Sequence, residues 1–394
     1  MGVQLPQGFT GFQEQRTAEK TPIIELNGSL PLSDLRDEQQ TSGSGSVSDN
    51  EAEYELDHAA SGNFVRLASA SRGRYQPGTI AEVGVGIRFN SSPPTSGDYT
   101  ARWGLFDMEH NSGSNQETIN NGILWGRDKT DNFVEVIRSG TSIHKTYQGK
   151  WNGEDISYDL TEGRIFELDY SFYGYNIIRW LFVAGDTTDE QSDVKVVHTF
   201  KPSQQTSLAN TNLQVGAVLK SSSTTGQFKV NVGGRQYNVV GQYRPRTRTT
   251  AESVTGVTVG TSGWTQLLSF QKKSGFRQIA VDFQGFIANS SSDIVVRTIR
   301  DPSLDSNASF GSLTEIPTGE TALEKDTSAT DATGGRKTPT TIIPGGSTGQ
   351  ETKSKDAAGE VPVDVVDEGI LTIEAQAIDS EATVDLVGKM KEFW

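Results

Sequence analysis

The feature that most constrains the fold is a regular alternation of short apolar runs with clusters of turn-forming residues. Between residues 51 and 242, runs rich in Val, Ile, Phe, Tyr and Trp are separated by clusters of Gly, Asn, Ser and Asp. Such runs predict β-strands, and no stretch keeps the periodicity of an amphipathic helix. Turn signals such as Asn121-Gly122 and Gly233-Gly234 favour antiparallel hairpins. The pattern therefore predicts an antiparallel sandwich of two sheets.

Two of the predicted strands bear on function. Ile165–Phe172 alternates strictly, so that its aromatic and leucine side chains point to one face while Glu167 and Asp169 point to the other. The acidic face of this strand is predicted to be in contact with solvent. Ile80–Phe89 contains Gly84-Val85-Gly86. This is not a dinucleotide-binding turn, because no helix pattern follows it.

The β pattern is interrupted once, at Tyr243–Thr250. This segment contains a proline and three arginines, which disfavour strand pairing, and it is predicted to be a linker at 243–250. Residues 251–394 carry a second β pattern and are predicted to form a smaller sandwich. The jelly-roll sandwich is predicted to span 51–242. Residues 1–50 contain few core formers and are predicted to be an extended N-terminal docking arm, which gains order by packing on a partner or on the next domain.

The docking arm contains one short apolar patch that we predict to make assembly contacts. Its members are Ile23, Ile24, Leu26, Leu30 and Leu32.

Composition excludes several classes of function. The chain has 50 acidic and 35 basic residues, for a net charge of −15, which repels phosphate and argues against nucleic-acid binding. The absence of cysteine excludes disulfides, Cys-ligated metals and cysteine nucleophiles. The four histidines form no metal-ligand motif, so neither a metal nor another cofactor is predicted. No apolar run is long enough to predict membrane insertion.

Several turn motifs occur in a fixed order along the chain. They are Arg74-Tyr75-Gln76-Pro77-Gly78, Gly104-Leu105-Phe106-Asp107, Asn121-Gly122-Ile123, Asp159-Leu160-Thr161 through Phe166, and Tyr173-Gly174. In this order the chain resembles a family of structural and appendage proteins of tailed viruses, phage or archaeal. The resemblance covers about residues 22–240 and, more loosely, 251–394. It implies an all-β protein in which a concanavalin-like jelly roll is followed by a second sandwich.

The resemblance also implies a function. It predicts a non-enzymatic virion structural protein that forms a surface appendage, either a tail fibre, a spike or a capsid turret on the head or tail of the particle. Such a protein takes part in host attachment. Its predicted partners are further copies of itself in a trimer or pentamer, other virion proteins, and a glycan or glycoprotein of the host surface.

A glycan-cleaving, depolymerase-like enzyme is one alternative from a different class. Some glucanases with this fold carry the strand motif Glu-x-Asp-x-(x)-Glu, which lines up a nucleophile, an assisting Asp and a proton donor. Here Glu167 and Asp169 supply the first two carboxylates and the third is missing from the strand. Because the retaining mechanism needs that proton donor, hydrolysis is disfavoured. The plainer interpretation is two solvent-facing acids on an amphipathic strand.

A lectin-type sugar-binding protein is the other alternative. Sugar rings stack on Trp or Tyr side chains, and acidic side chains accept hydrogen bonds from sugar hydroxyls. The predicted carbohydrate-binding residues are Trp151, Tyr173, Tyr175, Glu167 and Asp169. Trp151, in the loop GKWNGED, is the best candidate for an exposed ring. Against this set, most tryptophans within strands belong to the core.

Overall fold

The computed structural model divides the chain into two compact units, Met1–Arg244 and Pro245–Trp394. The residues that the structure describes are 20–33, 36–57, 64–76, 78–94, 97–109, 118–171, 177–184, 193–203, 206–221, 228–241, 247–273, 276, 279–314, 316, 318–338, 340–346, 352–353 and 369–393.

The described part of the first unit is built from strands and two short 3₁₀ turns, Gln148–Lys150 and Leu160–Glu162. Its strands, in chain order, are β1 (Lys20–Leu26), β2 (Asp37–Thr41), β3 (Ser46–Asn50), β4 (Glu53–Asp57), β5 (Phe64–Ser69), β6 (Ile80–Phe89), β7 (Tyr99–Glu109), β8 (Thr118–Asp128), β9 (Asn132–Arg138), β10 (Thr141–Tyr147), β11 (Arg164–Tyr170), β12 (Ile178–Ala184), β13 (Asp193–Phe200), β14 (Gln214–Ser221) and β15 (Lys229–Val240).

These strands form two antiparallel sheets. The first sheet has the order β13-β12-β11-β6-β15-β4-β3, and β1 also pairs with β15. The second sheet has the order β10-β9-β8-β7-β14-β5-β2. The outer strands β13-β12-β11 and β10-β9-β8-β7 are consecutive in the chain, whereas the central pairs β6-β15 and β7-β14 bring together strands that are far apart in sequence, as in a jelly roll.

The core of the first unit lies between the two sheets. Strand β11 shows how side chains reach this core. Every second residue, Phe166, Leu168 and Tyr170, points inward and is buried, while Ile165 and Glu167 face outward. Large aromatic side chains fill the space between the sheets, and the most buried tryptophans are Trp103, Trp125 and Trp180.

The described part of the second unit is a smaller set of sheets and includes the 3₁₀ turn Thr318–Glu320. Its strands are β16 (Thr247–Val259), β17 (Thr265–Lys272), β18 (Ala280–Ser290), β19 (Ile294–Arg300), β20 (Ser303–Leu304), β21 (Leu323–Asp326), β22 (Ala332–Thr333), β23 (Arg336–Lys337), β24 (Thr341–Ile343), β25 (Thr352–Lys353), β26 (Ile370–Ala377) and β27 (Ala382–Phe393).

Two main sheets make up this unit. One has the order β16-β27-β18-β25, and the other has the order β21-β17-β26-β19-β23, with β24 also paired to β19. The separate ribbon β20-β22 completes the described strands. A second hydrophobic core, which includes Phe270, Ile294 and Leu386, is buried within the unit. The predicted fold class, an all-β jelly-roll sandwich followed by a smaller sandwich, is therefore confirmed.

The N-terminal boundary predicted at residue 50 differs from the structure. The described part of the predicted docking arm belongs to the first sandwich, because β1 pairs with β15, β2 with β5 and β3 with β4. Ile24 is only 4% exposed in the same core, and Ile23, Leu26 and Leu32 pack against it, while Leu30 is 48% exposed. Composition misses these strands because edge strands such as β2 (DEQQT) gain stability from backbone pairing rather than from apolar side chains.

The predicted linker also differs from the structure. Residues 242–246 lie outside the described part, but β16 already begins at Thr247, and Thr247 pairs with Phe393. Arg248 is 3.6 Å from Glu320, so this arginine has a carboxylate partner within its own unit. Threonine and arginine are compatible with a half-exposed strand, and the segment after Pro245 therefore enters a sheet rather than remaining a free linker.

None of the described residues forms a helix long and apolar enough to cross a membrane.

Candidate functional site

A depression of about 380 Å³ lies on the outer face of the first sheet, where β1, β15, β6 and β11 run side by side. The strand register lines up four residues across it. Glu25 pairs with Gln236, Gln236 with Gly84, and Gly84 with Glu167. We call this feature the Glu167 depression. Because neighbouring strands lie about 4.8 Å apart, Gln236 and Glu167 stand about 10 Å apart on either side of Gly84.

Glycines form the floor of the Glu167 depression. Gly84 and Gly86 alternate along β6 on its outer face, and Gly234 adjoins them on β15. A Cβ atom built on Gly84 would lie 2.9 Å from Nε2 of Gln236, so the Gln236 side chain lies across this glycine. A Cβ atom on Gly86 would have its nearest neighbour, Cα of Gly233, at 3.6 Å. The floor at Gly86 is therefore open backbone that a ligand can approach closely.

Glu167 is the main charged group of the depression. Its carboxylate is half-buried and accepts no hydrogen bond from the described residues. Burial raises the pKa of this carboxyl group, repulsion from Glu82 and Asp169 raises it further, and Lys20 opposes the shift. A half-buried acceptor without a donor is costly, and it is satisfied when a ligand supplies a hydroxyl or amide.

The other walls provide complementary chemistry. The amide of Gln236 has no hydrogen-bond partner among the described residues, so it offers a donor and an acceptor to a ligand. Ile165 is 49% exposed, and Leu26 is half-buried at the opposite wall. The depression thus combines two free polar groups with apolar surface over a floor without side chains.

Two more acids stand beside Glu167, and both are buried and paired with cations. Asp169 is only 3% exposed, so its predicted contact with solvent is wrong, because Arg179 covers and binds its carboxylate. Asp169 receives two hydrogen bonds from Arg179, of 2.7 Å from Nε and 2.6 Å from Nη2. Glu82, the cross-strand partner of Asp169 on β6, is paired with Lys20. The neighbouring strand therefore supplies the third carboxylate that the β11 sequence lacks, but cations hold two of the three.

The predicted aromatic residues do not join Glu167 in this depression. The Trp151 indole is half-buried against the core, where its Nε1 donates to the Thr146 carbonyl oxygen at 3.1 Å and its ring meets Trp125 edge-on at 5.6 Å. Trp151 therefore packs within the sandwich rather than presenting an open ring. Tyr173 and Tyr175 lie outside the described residues.

Sequence reasoning missed the glycine floor and Gln236. The available signal was Gly84-Val85-Gly86 itself, because two glycines spaced by two in a strand leave one face without side chains. Gln236 carries no comparable signal. Its place beside Gly84 depends on a register between strands that are far apart in the chain.

Comparison with protein-family models gives no match. Comparison with curated proteins gives none either.

Solved structures similar to this chain include three all-but-complete domains of other proteins. The metal-free carbohydrate recognition domain of Emp46p is 12% identical and covers 54% of this chain and 94% of its own, with a TM-score of 0.34. Lectin II from Ulex europaeus is 10% identical over 56% of this chain and 99% of its own, with a TM-score of 0.36. The Ca²⁺-bound exoplasmic/lumenal domain of VIP36 is 10% identical over 57% of this chain and 91% of its own, also with a TM-score of 0.36. At this level of similarity, the fold assignment rests on the strand order described above.

Proposed function

We propose that the first sandwich binds carbohydrate, without cleaving it, in the Glu167 depression. The observation that carries this proposal is the free, half-buried carboxylate of Glu167, aligned across Gly84 with the free amide of Gln236. A sugar presents adjacent hydroxyls that both donate and accept hydrogen bonds. The carboxylate supplies acceptors and the amide supplies both functions, so the pair matches that pattern.

The remaining surface suits a pyranose ring. Recognition sites for small molecules combine a mostly apolar lining with a few placed polar groups. Ile165 offers an exposed aliphatic surface for the C–H face of a sugar, and Gly86 allows the ring to approach the strand backbone. A sugar ring can therefore pack its C–H face on the apolar surface while its hydroxyls bond to the polar groups.

The ion pairs argue for binding rather than hydrolysis. A glycosidase needs two carboxyl groups that act as acid and as base or nucleophile. Glu167 is free, but Asp169 is held by Arg179 and Glu82 by Lys20. The two nearest acids are neutralised by cations, and the free carboxylate of Glu25 is three strands away, about 14 Å from Glu167 along the sheet. Glycosidases hold their two carboxyl groups about 5–9.5 Å apart, so the depression is better suited to holding a sugar than to cleaving one.

A glycan array with the full-length protein tests this proposal. Wild type should bind a subset of the glycans, and Glu167→Ala should lose that signal. Glu154→Ala is the matched control, because Glu154 is exposed on the loop that follows Lys150 and does not line the depression. Equal binding by wild type and Glu167→Ala would show that the Glu167 depression is not the binding site. Release of shorter sugars by wild type would favour the glycan-cleaving alternative.

The role on a virus particle is a second proposal. Its support is the ordered set of motifs from Arg74-Tyr75-Gln76-Pro77-Gly78 to Tyr173-Gly174, which resembles appendage proteins of tailed viruses. A virion protein that attaches to a glycan of the host surface would use the proposed carbohydrate binding for that role. Immunogold imaging of particles with an antibody against this chain tests the location. Light scattering after size exclusion tests the trimer or pentamer, for which exposed Leu30 is the contact to mutate.

A further inference from the structure

The Glu167 depression continues into a second one. That second depression, of about 360 Å³, shares Gly86 and Ile165 with the first and is also lined by Gly163, Arg164 and Val183. We call it the Val183 depression. Gly233 lies at its floor, next to the Gly234 that lines the first. The two depressions therefore form one groove across the outer face of the first sheet.

The groove is longer than one sugar ring. It follows β11 from Glu167 to Arg164, three residues that at about 3.3 Å per residue span about 10 Å, and it continues to Gly163, just before the strand begins. The shared residues Gly86 and Ile165 stand near its middle. A groove of this length has room for about two or three linked sugar rings along the strand.

The charges along the groove select against acidic sugars. The arginine in the Val183 depression, Arg164, is paired with Glu162. Glu53, which lines the same depression, is paired with Arg88. Among the described lining residues, the charged groups without an ion-pair partner are the carboxylates Glu25 and Glu167. An added negative charge would lie close to them in a partly desolvated groove and would be repelled.

We infer that the groove binds a segment of a neutral, linear polysaccharide that spans both depressions. This inference rests on the proposed carbohydrate-binding function and extends it to the class and length of the ligand. Glu167 and Gln236 hold one sugar unit, and the next unit lies over Gly86 toward Val183. An isolated monosaccharide fills only the first part of the groove and binds more weakly.

Isothermal titration calorimetry with a length series tests the inference. The probes are cello-, laminari- and malto-oligosaccharides from two to six units, added to the full-length protein. For at least one series, affinity should rise about tenfold or more between the disaccharide and the tetrasaccharide and then level off. Equal affinity for all lengths would overturn the extended groove and leave the Glu167 depression as the binding site.

Two variants separate the halves of the groove. Val183→Phe fills the second depression with a residue that favours strands, so it should abolish the gain in affinity between the disaccharide and the tetrasaccharide. Glu167→Gln should weaken binding at every length. A gain with length that survives in Val183→Phe would overturn the assignment of the second depression. Absence of binding by every probe would overturn the proposed function itself.

An acidic probe tests the charge argument. Tetragalacturonate should bind about tenfold or more weakly than the best neutral tetrasaccharide, and Glu167→Gln should narrow that gap. Equal affinity of wild type for the acidic and neutral tetrasaccharides would overturn the inference that the ligand is a neutral polysaccharide.

Discussion

His144 Nε2 and His198 Nε2 lie 2.8 Å apart and join the two sheets of the first sandwich. The ring centroids are 5.1 Å apart and the ring planes are within 17° of each other, so the two nitrogens meet between nearly parallel rings. His144 is on β10, an edge of the second sheet, and His198 is on β13, an edge of the first. One nitrogen must donate a proton and the other must accept it, so the hydrogen bond requires that at most one ring is charged.

Acid should weaken this contact between the sheets. Burial lowers the pKa of His144, and burial together with the neighbouring His144 lowers the pKa of His198 from 6.5 to about 4. The folded state therefore favours the neutral rings. Their contribution to stability is complete above pH 6.5 and is lost as the pH falls through about 4.

Thermal unfolding across that range measures the effect. Wild type should be more stable than the double variant His144→Gln/His198→Gln at pH 7.5, and the difference in Tm should shrink at pH 4.5. Since other groups titrate in both proteins alike, the difference isolates the pair. A difference in Tm that stays constant from pH 7.5 to 4.5 would contradict the prediction.

Glu167→Gln should stabilise the protein at neutral pH while it weakens sugar binding. The raised pKa of Glu167 means that the folded state holds the proton more tightly than the unfolded state. Stability therefore falls as the pH rises above the ordinary value of 4.5, and the penalty persists at neutral pH. The Tm of Glu167→Gln should exceed that of wild type at pH 7 and approach it at pH 4. A Tm below that of wild type at pH 7 would show that the carboxylate is structural.

Gly86→Val should block the floor of the groove without unfolding the sheet. A Cβ atom on Gly86 meets no atom closer than 3.6 Å, and valine favours strands. Affinity for the best oligosaccharide should fall about tenfold or more while Tm changes little. Gly260→Val is the control, because a Cβ atom on Gly260 would meet no atom of the described residues within 4 Å and this glycine belongs to the other unit. Unchanged affinity in Gly86→Val would place the ligand elsewhere.

Asp37→Ala should destabilise the first sandwich strongly. Asp37, on β2 of the second sheet, is paired with Arg235, on β15 of the first, and both side chains are almost fully buried. Removing the carboxylate leaves a buried guanidinium without its counter-ion, which costs about 3–5 kcal/mol.

Urea unfolding, monitored by tryptophan fluorescence, measures this loss in the free energy of unfolding. The double variant Asp37→Leu/Arg235→Met should recover much of the loss, because it removes both charges from the interior. A loss below about 1 kcal/mol in Asp37→Ala would indicate an exposed pair and a β2 that is separable from the sandwich, as the sequence-based docking arm implies.

The sequence predicts the strands correctly where apolar and polar residues alternate strongly. The strand predicted at Ile80–Phe89 has the same bounds in the structure, and the outward direction of Glu167 follows from the alternation of β11. Polar edge strands were not readable, because β2 and β3 are held by backbone pairing and contain almost no apolar residues. Composition alone therefore assigned them to an arm.

The candidate site was readable only in part. Glu167 was predicted on chemical grounds, since an acid on the open face of a strand is a natural acceptor for a ligand. Gln236 and Glu82 reach its surroundings through cross-strand register, and His144 meets His198 through the closure of two sheets. Contacts of that kind depend on residues far apart in the chain, and no local pattern records them.

The most direct test is a crystal structure of the full-length protein with the neutral oligosaccharide that binds best in the titration. We expect a sugar ring over Gly84 and Gly86, with hydroxyls within hydrogen-bonding distance of the Glu167 carboxylate and the Gln236 amide. A sugar bound at any other surface, with the outer face of the first sheet empty, would contradict the account.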